Sequence, residues 1–284
     1  MKDDHDASEF GVSHYDLPTR DKIPIIRQLL TPDDTGLALD IGIGTGYATY
    51  SVFGDRPTVC VDIHTPNLDY YKQKLSTFSH THQPHCVTAP ATALPLPDEE
   101  FHLVLCSEVL EHLHEDDQAV KEIARVLAPD GKAIITVPYT GLGFTSFLEL
   151  CGLRTVHDFP GPEQHVRRGY DEASLRALLA RHQLYVEHYT YYLRFFTRVA
   201  VDLVSVCHLL YQRLVHKRRA WTWSEAASAE GGFAFRLYTW IFPLLMAFSR
   251  LDKLLIKRRG FGLIAVVRKL NVDHEKQRPL APIA

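Results

Sequence analysis

The apolar positions change period repeatedly along this 284-residue chain. Leu37 to Ile41 is a short apolar run that opens into glycines, which predicts a buried strand. Thr58 to Ile63, His85 to Thr88, His102 to Cys106, Lys132 to Val137 and Leu184 to Tyr192 read as further strands. Helical spacing lies between them: Lys22 to Leu30, stopped by Thr31-Pro32; Tyr47 to Phe53; Asn67 to Phe78; Asp116 to Leu127; and Asp171 to His182, with Asp171 as its cap. Pro129-Asp130-Gly131 is expected to end the Asp116 helix before the next strand begins. The alternation predicts an α/β fold, a Rossmann-like doubly wound parallel sheet with helices on both faces.

A seventh strand, Gly262 to Val267, appears only after residue 260. The chain therefore divides into a domain over 1–192, completed by a last strand within 260–269, a helical insertion over 193–259, and a tail over 270–284 read as flexible. A long loop, Tyr139 to Gly169, leaves the edge where ligands bind in such sheets, so it is expected to cover the site. Within the insertion, Phe195 to Leu214 carries Phe196, Val199, Leu203, Val206, Leu210 and Leu214 on one face. A polar stripe faces the other way, which makes an amphipathic helix. Phe233 to Phe248 is strongly apolar yet too short to span a bilayer comfortably.

Charge changes this picture. The net value of -3 conceals 15 Lys and Arg against 28 Asp and Glu over 1–193, and 12 against 4 over 194–260. Apolar helices with basic ends, His216-Lys217-Arg218-Arg219 and Lys257-Arg258-Arg259, together with Trp221 and Trp223, are expected to lie on an anionic membrane surface. The competing reading is a lid or oligomer interface without lipid. The acidic first part argues against a long nucleic-acid track. Five cysteines, none spaced C-x-x-C, argue against a disulfide framework or a structural zinc site and for a reducing compartment. The start, MKDDHDASEF, has neither the basic nor the apolar region of a signal peptide. A cytoplasmic protein, peripheral on the inner face of the membrane, is expected.

The chemistry concentrates after the first strand. Asp40-Ile41-Gly42-Ile43-Gly44-Thr45-Gly46 is a D-x-G-x-G-x-G turn between a strand and a helix, and its glycines let the backbone approach a ligand closely. Tyr47 stands where a dinucleotide fingerprint needs its third glycine, which disfavours a nicotinamide dehydrogenase. Asp62 ends the second strand, where a carboxylate can hold both hydroxyls of a ribose.

With these residues in place, the sequence resembles the class I S-adenosylmethionine-dependent methyltransferases, in particular the group that includes the quinone methyltransferases. The resemblance runs from about Ile25 to Tyr192 and returns at the last strand. It rests on LALDIGIGTGYAT, on VCVDI, on the Ala91 to Phe101 segment, on Leu105 to Leu113 and on Ile123 to Lys132. It implies S-adenosylmethionine as cofactor. Gly42, Gly44 and Gly46 would pass under its methionine part and Asp40 would orient that loop or the amino group. Asp62 would bind the ribose, Ala91 and Thr92 the adenine, and Ser107 and Glu108 would sit beside the transferring methyl. The sequence departs from the family at Pro90, where an Asp commonly reads the adenine amino group, and at His102.

An oxygen acceptor also needs a base, and His112 and His165 are the candidates, since imidazole titrates in the right range for a phenol or enol. Glu108, Glu111 and His112 would share one helical face, and with His165 they form an alternative set of divalent-metal ligands. The expected function is methylation, at oxygen first, of a small or lipid-linked acceptor. The alternatives are a metal-assisted RNA 2'-O-methyltransferase and a non-catalytic, membrane-associated cofactor-binding module.

Overall fold

The computed structural model describes residues 10, 14–32, 34–76, 83–144, 146–152, 165–215, 233–255 and 258–270. Its elements are α1 (Leu17–Leu29), β1 (Ala38–Ile41), α2 (Tyr47–Phe53), β2 (Thr58–Asp62), α3 (Thr65–Leu75), β3 (His85–Thr88), β4 (Phe101–Ser107), α4 (Asp116–Val126), β5 (Leu127–Pro138), the one-turn α5 (Phe147–Leu150), α6 (Glu172–Ala180), β6 (Leu184–Tyr192), α7 (Phe195–Val215), α8 (Phe233–Ser249) and β7 (Gly262–Lys269). Short 3-10 turns cover Leu110–His112 and Arg250–Leu255. The seven strands form one sheet in the order β3-β2-β1-β4-β5-β7-β6. The order reverses between β1 and β4, so the carboxyl ends of these two strands open the crevice where such sheets bind ligands.

Strands β1 to β5 are parallel, but β7 runs antiparallel to both β5 and β6. The all-parallel expectation fails there because the last strand returns directly beside β6, with Tyr192 opposite Gly262. The Asp116 helix ends at Val126, ahead of Pro129-Asp130-Gly131. β5 begins at Leu127, but its pairing with β4 jumps from Leu127 opposite Phe101 to Lys132 opposite Leu103, so residues 128–131 bulge out of the ladder. The predicted helix at Lys22 begins earlier, at Leu17. Asp16 caps it by accepting from the Thr19 N–H at 3.0 Å, and Pro24 is carried inside. Residues 22–30 alone concealed this, because a proline in a first turn looks like a helix start.

Alternate side chains of the central strands enter different cores. Leu39, Ile41, Val104 and Ile135 pack with Leu110, Ile123 and Leu179 on the α4–α6 face. Ala38, Leu103, Leu105 and Ile134 pack with Ile26 of α1, Tyr192 and Phe261 on the other. The insertion joins this second side. Leu17, Ala200 and Phe242 bury one another, and the Tyr238 hydroxyl donates to the Tyr15 carbonyl at 2.6 Å.

Two carboxylates hold the ends of the insertion in place. Asp21 of α1 accepts from the Leu193 N–H at 2.6 Å. Asp252 accepts from the Phe196 and Thr197 N–H groups at 2.8 and 2.9 Å, satisfying the open start of α7. The basic cluster at 216–219, Trp221 and Trp223 lie outside the described residues, as do residues 153–164 of the long loop and the tail from 271. No helix among the described residues is long and apolar enough to cross a membrane. Replacing Asp252 with Ala should cost about 1–2 kcal/mol of stability through loss of the α7 cap, checked by urea denaturation of the two proteins.

Candidate functional site

Three glycines make the bend after β1 possible. Gly42, Gly44 and Gly46 have φ of 73°, 53° and 74°, all left-handed. A Cβ at Gly42 would strike Val109 at 2.5 Å, and one at Gly46 would enter the Tyr71 ring at 2.1 Å. At Gly44 a Cβ would meet nothing within 4 Å, so the middle of the loop faces open space. The tip is tied to β2: Asp62 Oδ2 accepts from the Gly44 N–H at 3.0 Å and from Asn67 Nδ2 at 3.2 Å, while its Oδ1 accepts from the His64 N–H at 2.8 Å. Asp62 therefore both anchors the loop and keeps lone pairs for a ligand. The Ala89 N–H donates to the Asp62 carbonyl, and Ala91 and Thr92 follow in a turn closed by Ala93 N–H to the Pro90 carbonyl. Those two residues thus stand next to Asp62, and Pro90 leaves only backbone groups and Thr92 to read a base there.

Asp40 is buried beneath the loop and accepts from the Thr49 hydroxyl at 2.6 Å. Burial pushes its carboxyl up to about 7, against the pull of Thr49 and of Lys22. Lys22 of α1 is a site residue that the sequence pattern did not reveal. It is 6% exposed and lies over the Tyr192 ring at 5.7 Å. Its ammonium lowers Asp16, Asp40 and Glu111 alike, although burial outweighs it in each. Only its buried position gives it away, since periodicity marks Lys22 as an ordinary helix residue.

Ser107 and Glu108 end β4 as expected, but both turn toward β5. The Ser107 hydroxyl lies 3.0 Å from that of Thr136. Glu108 takes a left-handed φ of 56°, unusual for a residue with a side chain. Its carboxylate holds that conformation by accepting from the Thr136 and Tyr192 hydroxyls at 2.9 and 2.6 Å. Thr136 and Tyr192 thus belong to the site as well.

His112 and His165 come together from distant parts of the chain, with rings 4.6 Å apart and edge to face. Burial and the neighbouring His112 hold His165 below the usual imidazole range. Glu111 lies against them, Oε1 3.9 Å from His112 Nε2. It is fully buried, and neither carboxylate oxygen has a hydrogen bond among the described residues. Burial and the nearby Glu108 push its carboxyl well up. The ligand atoms of Glu111, His112 and His165 lie within 4.8 Å of one another. Glu108, expected as a fourth member, does not join them, because Thr136 and Tyr192 hold its carboxylate.

Comparison with known proteins agrees with this geometry. Residues 39–135 match the family model of a methyltransferase domain. An uncharacterized methyltransferase-like protein of Schizosaccharomyces pombe is 35% identical over 102 residues, 35% of this chain and 37% of that one. The ubiquinone/menaquinone biosynthesis C-methyltransferase UbiE of Vibrio parahaemolyticus is 33% identical over 101 residues, 34% of this chain and 39% of its own. The match spans less than half the length of either relative. Among solved structures, the (4+2)-cyclase SpnF aligns with a TM-score of 0.55 at 18% identity, over 88% of this chain and 80% of that one, a likeness of fold.

The reversed strand order, the glycine bend and the matched segment together define a Rossmann-like methyltransferase domain. Residues 39–135 are similar to a methyltransferase domain, and the fold and motifs are those of the class I S-adenosylmethionine-dependent kind, whose cofactor is S-adenosylmethionine. The residues fit it, with open space over Gly44 and acceptor capacity left on Asp62.

Two outcomes test this site. Asp62→Ala should weaken S-adenosylhomocysteine binding at least tenfold in calorimetry, roughly 1.4 kcal/mol. For Asp40, with its carboxyl near 7 in the fold against 3.8 when exposed, the folded protein keeps a proton that the unfolded chain releases. Stability then falls as pH rises through that window. The melting temperature of Asp40→Asn should therefore gain on that of the unaltered protein between about pH 5 and pH 8, measured without cofactor.

Proposed function

We propose that the protein transfers the methyl group of S-adenosylmethionine to a hydroxyl oxygen of a small or lipid-linked acceptor. The cofactor supplies an electrophilic methyl on a sulfonium, so the chain's own residues have to align the acceptor, exclude water and take a proton. The observation that carries the oxygen reading is the His112–His165 pair. It puts two half-buried imidazoles past the end of β4, one of them with a buried Nδ1 that has no hydrogen bond among the described residues. His165 takes the hydroxyl proton as the oxygen attacks, and Glu108, Thr136 and Tyr192 form the wall beside it. The name of the UbiE relative makes carbon the second choice of acceptor atom.

A second reading rests on Glu111. A fully buried carboxylate without hydrogen bonds needs an explanation, and a divalent cation held by Glu111, His112 and His165 would supply one. Such a cation would polarise the acceptor hydroxyl. An RNA ribose is one acceptor of that kind, although the acidic charge of 1–193 disfavours it.

The two readings separate in a methyl-transfer assay over a panel of phenols, quinols and lipid extracts, with and without chelator. With His165 as base, His165→Ala should lower kcat on the order of a hundredfold while S-adenosylhomocysteine affinity stays level, and chelation should change little. Loss of activity on chelation, restored by added divalent metal and absent from Glu111→Gln, would replace the base by the cation.

A further inference from the structure

Helix α8 is apolar apart from Arg236, Thr239 and Ser249, and among the described residues one side of it is covered. Phe242, Leu245 and Met246 face inward and pack with Leu17, Tyr15 and Ala200. On the opposite side stand Leu237, Trp240, Ile241, Leu244 and Phe248, 49%, 84%, 39%, 72% and 36% exposed, continued by Leu251 at 41%. Their spacing of three and four residues makes a single stripe along the helix. Soluble surfaces rarely leave so many large apolar side chains contiguous and open unless something docks there.

The stripe does not end with the helix. Phe248 meets the Phe196 ring at 5.2 Å, Phe196 meets Phe195 at 5.3 Å, and Phe195 meets Phe147 at 5.5 Å. This path leads to a recess of about 280 Å³ between Phe147, Leu148, Phe195, Val199, Leu203 and Val206. Apolar surface thus runs continuously from α8 onto the start of α7.

Charge selects the occupant. Arg236 and Arg250 lie along one edge of the stripe and Lys253 past its end. All three are exposed, Arg250 and Lys253 also line the recess against α1 and α2, and none forms an ion pair among the described residues. The one acid of this stretch, Asp252, is buried and committed to the α7 cap. A second copy docked face to face would set these cations against their own counterparts, since a two-fold contact pairs a surface with itself. A bilayer with anionic headgroups instead offers hydrocarbon to the stripe and negative charge to its border, with Trp240 at the interfacial level. We propose that the outward face of α8, extended through Phe248 and Phe196 to Phe195, is a docking surface for an anionic lipid bilayer. The helix lies in the plane of the membrane, and Arg236, Arg250 and Lys253 meet the headgroups. The proposal does not depend on which atom the enzyme methylates, nor on the cofactor.

The test is co-flotation of the full chain with vesicles of phosphatidylcholine alone and with about one-third phosphatidylglycerol, without cofactor or acceptor. The protein should float with the anionic vesicles and stay largely behind with the neutral ones. Trp240→Ser with Leu244→Ser should reduce the bound fraction roughly tenfold, and so should Arg236→Glu with Arg250→Glu. All four side chains are exposed, so circular dichroism and S-adenosylhomocysteine affinity should be unchanged in both variants. Equal binding to neutral vesicles, no binding to either, or variants that float like the unaltered protein would each overturn the proposal. So would a solution dimer, seen by light scattering, that Trp240→Ser with Leu244→Ser dissociates, because the stripe would then belong to a second copy.

Discussion

Burying charge at the carboxyl end of the sheet is the constraint around which the molecule is arranged. Asp40, Asp62 and Glu111 are all buried where β1, β2 and β4 finish, with Glu108 beside them. A buried carboxylate has to find donors, find a cation or take a proton. Each solution is present. Asp62 takes two backbone N–H groups and Asn67, Glu108 takes two hydroxyls, and Asp40 and Glu111 are pushed toward the protonated form. Lys22 supplies the cation, and α1 must lie across the sheet to bring it there. The N-terminal helix is thus part of the site's electrostatics as well as its packing.

The glycine bend has a consequence for how the site is built. Gly42 and Gly46 are pinned from outside by Val109 and Tyr71, whereas Gly44 is held from within by Asp62. The loop is fixed at three points before any ligand arrives, so little ordering remains to be done on binding. Val109 links the same loop to the turn that carries Glu111 and His112. The cofactor wall and the imidazole pair are therefore parts of one rigid unit.

Legibility in the sequence followed locality. The glycine turn, Asp62 and the strand–helix alternation are written in adjacent residues, and each stood where the pattern put it. The antiparallel β7 did not show, because an apolar run such as GLIAVV carries no direction. Pro129-Asp130-Gly131 was legible because turn chemistry is local: those residues bulge out of the ladder between Leu127 and Lys132. Glu108 was expected as a fourth metal ligand, yet Thr136 and Tyr192, close only in three dimensions, hold its carboxylate away from that group. Lys22 and the exposure of one side of α8 were invisible for the same reason, since periodicity marks an apolar face but not whether anything covers it.

Strands β6 and β7 are hairpin partners, with Tyr192 opposite Gly262 and the Phe261 N–H donating to the Leu193 carbonyl at 3.0 Å. The whole helical lobe therefore occupies the place of a turn. A chain that long closes a hairpin slowly, because the entropy of closure grows with the length between the partners. Packing of α7 against α8, with Asp252 capping the first from beyond the end of the second, shortens the distance to be closed. Folding of the lobe would then precede zipping of the sheet edge, and β5 would wait with an open flank until it did. The helical lobe would also act as a folding clamp for the sheet.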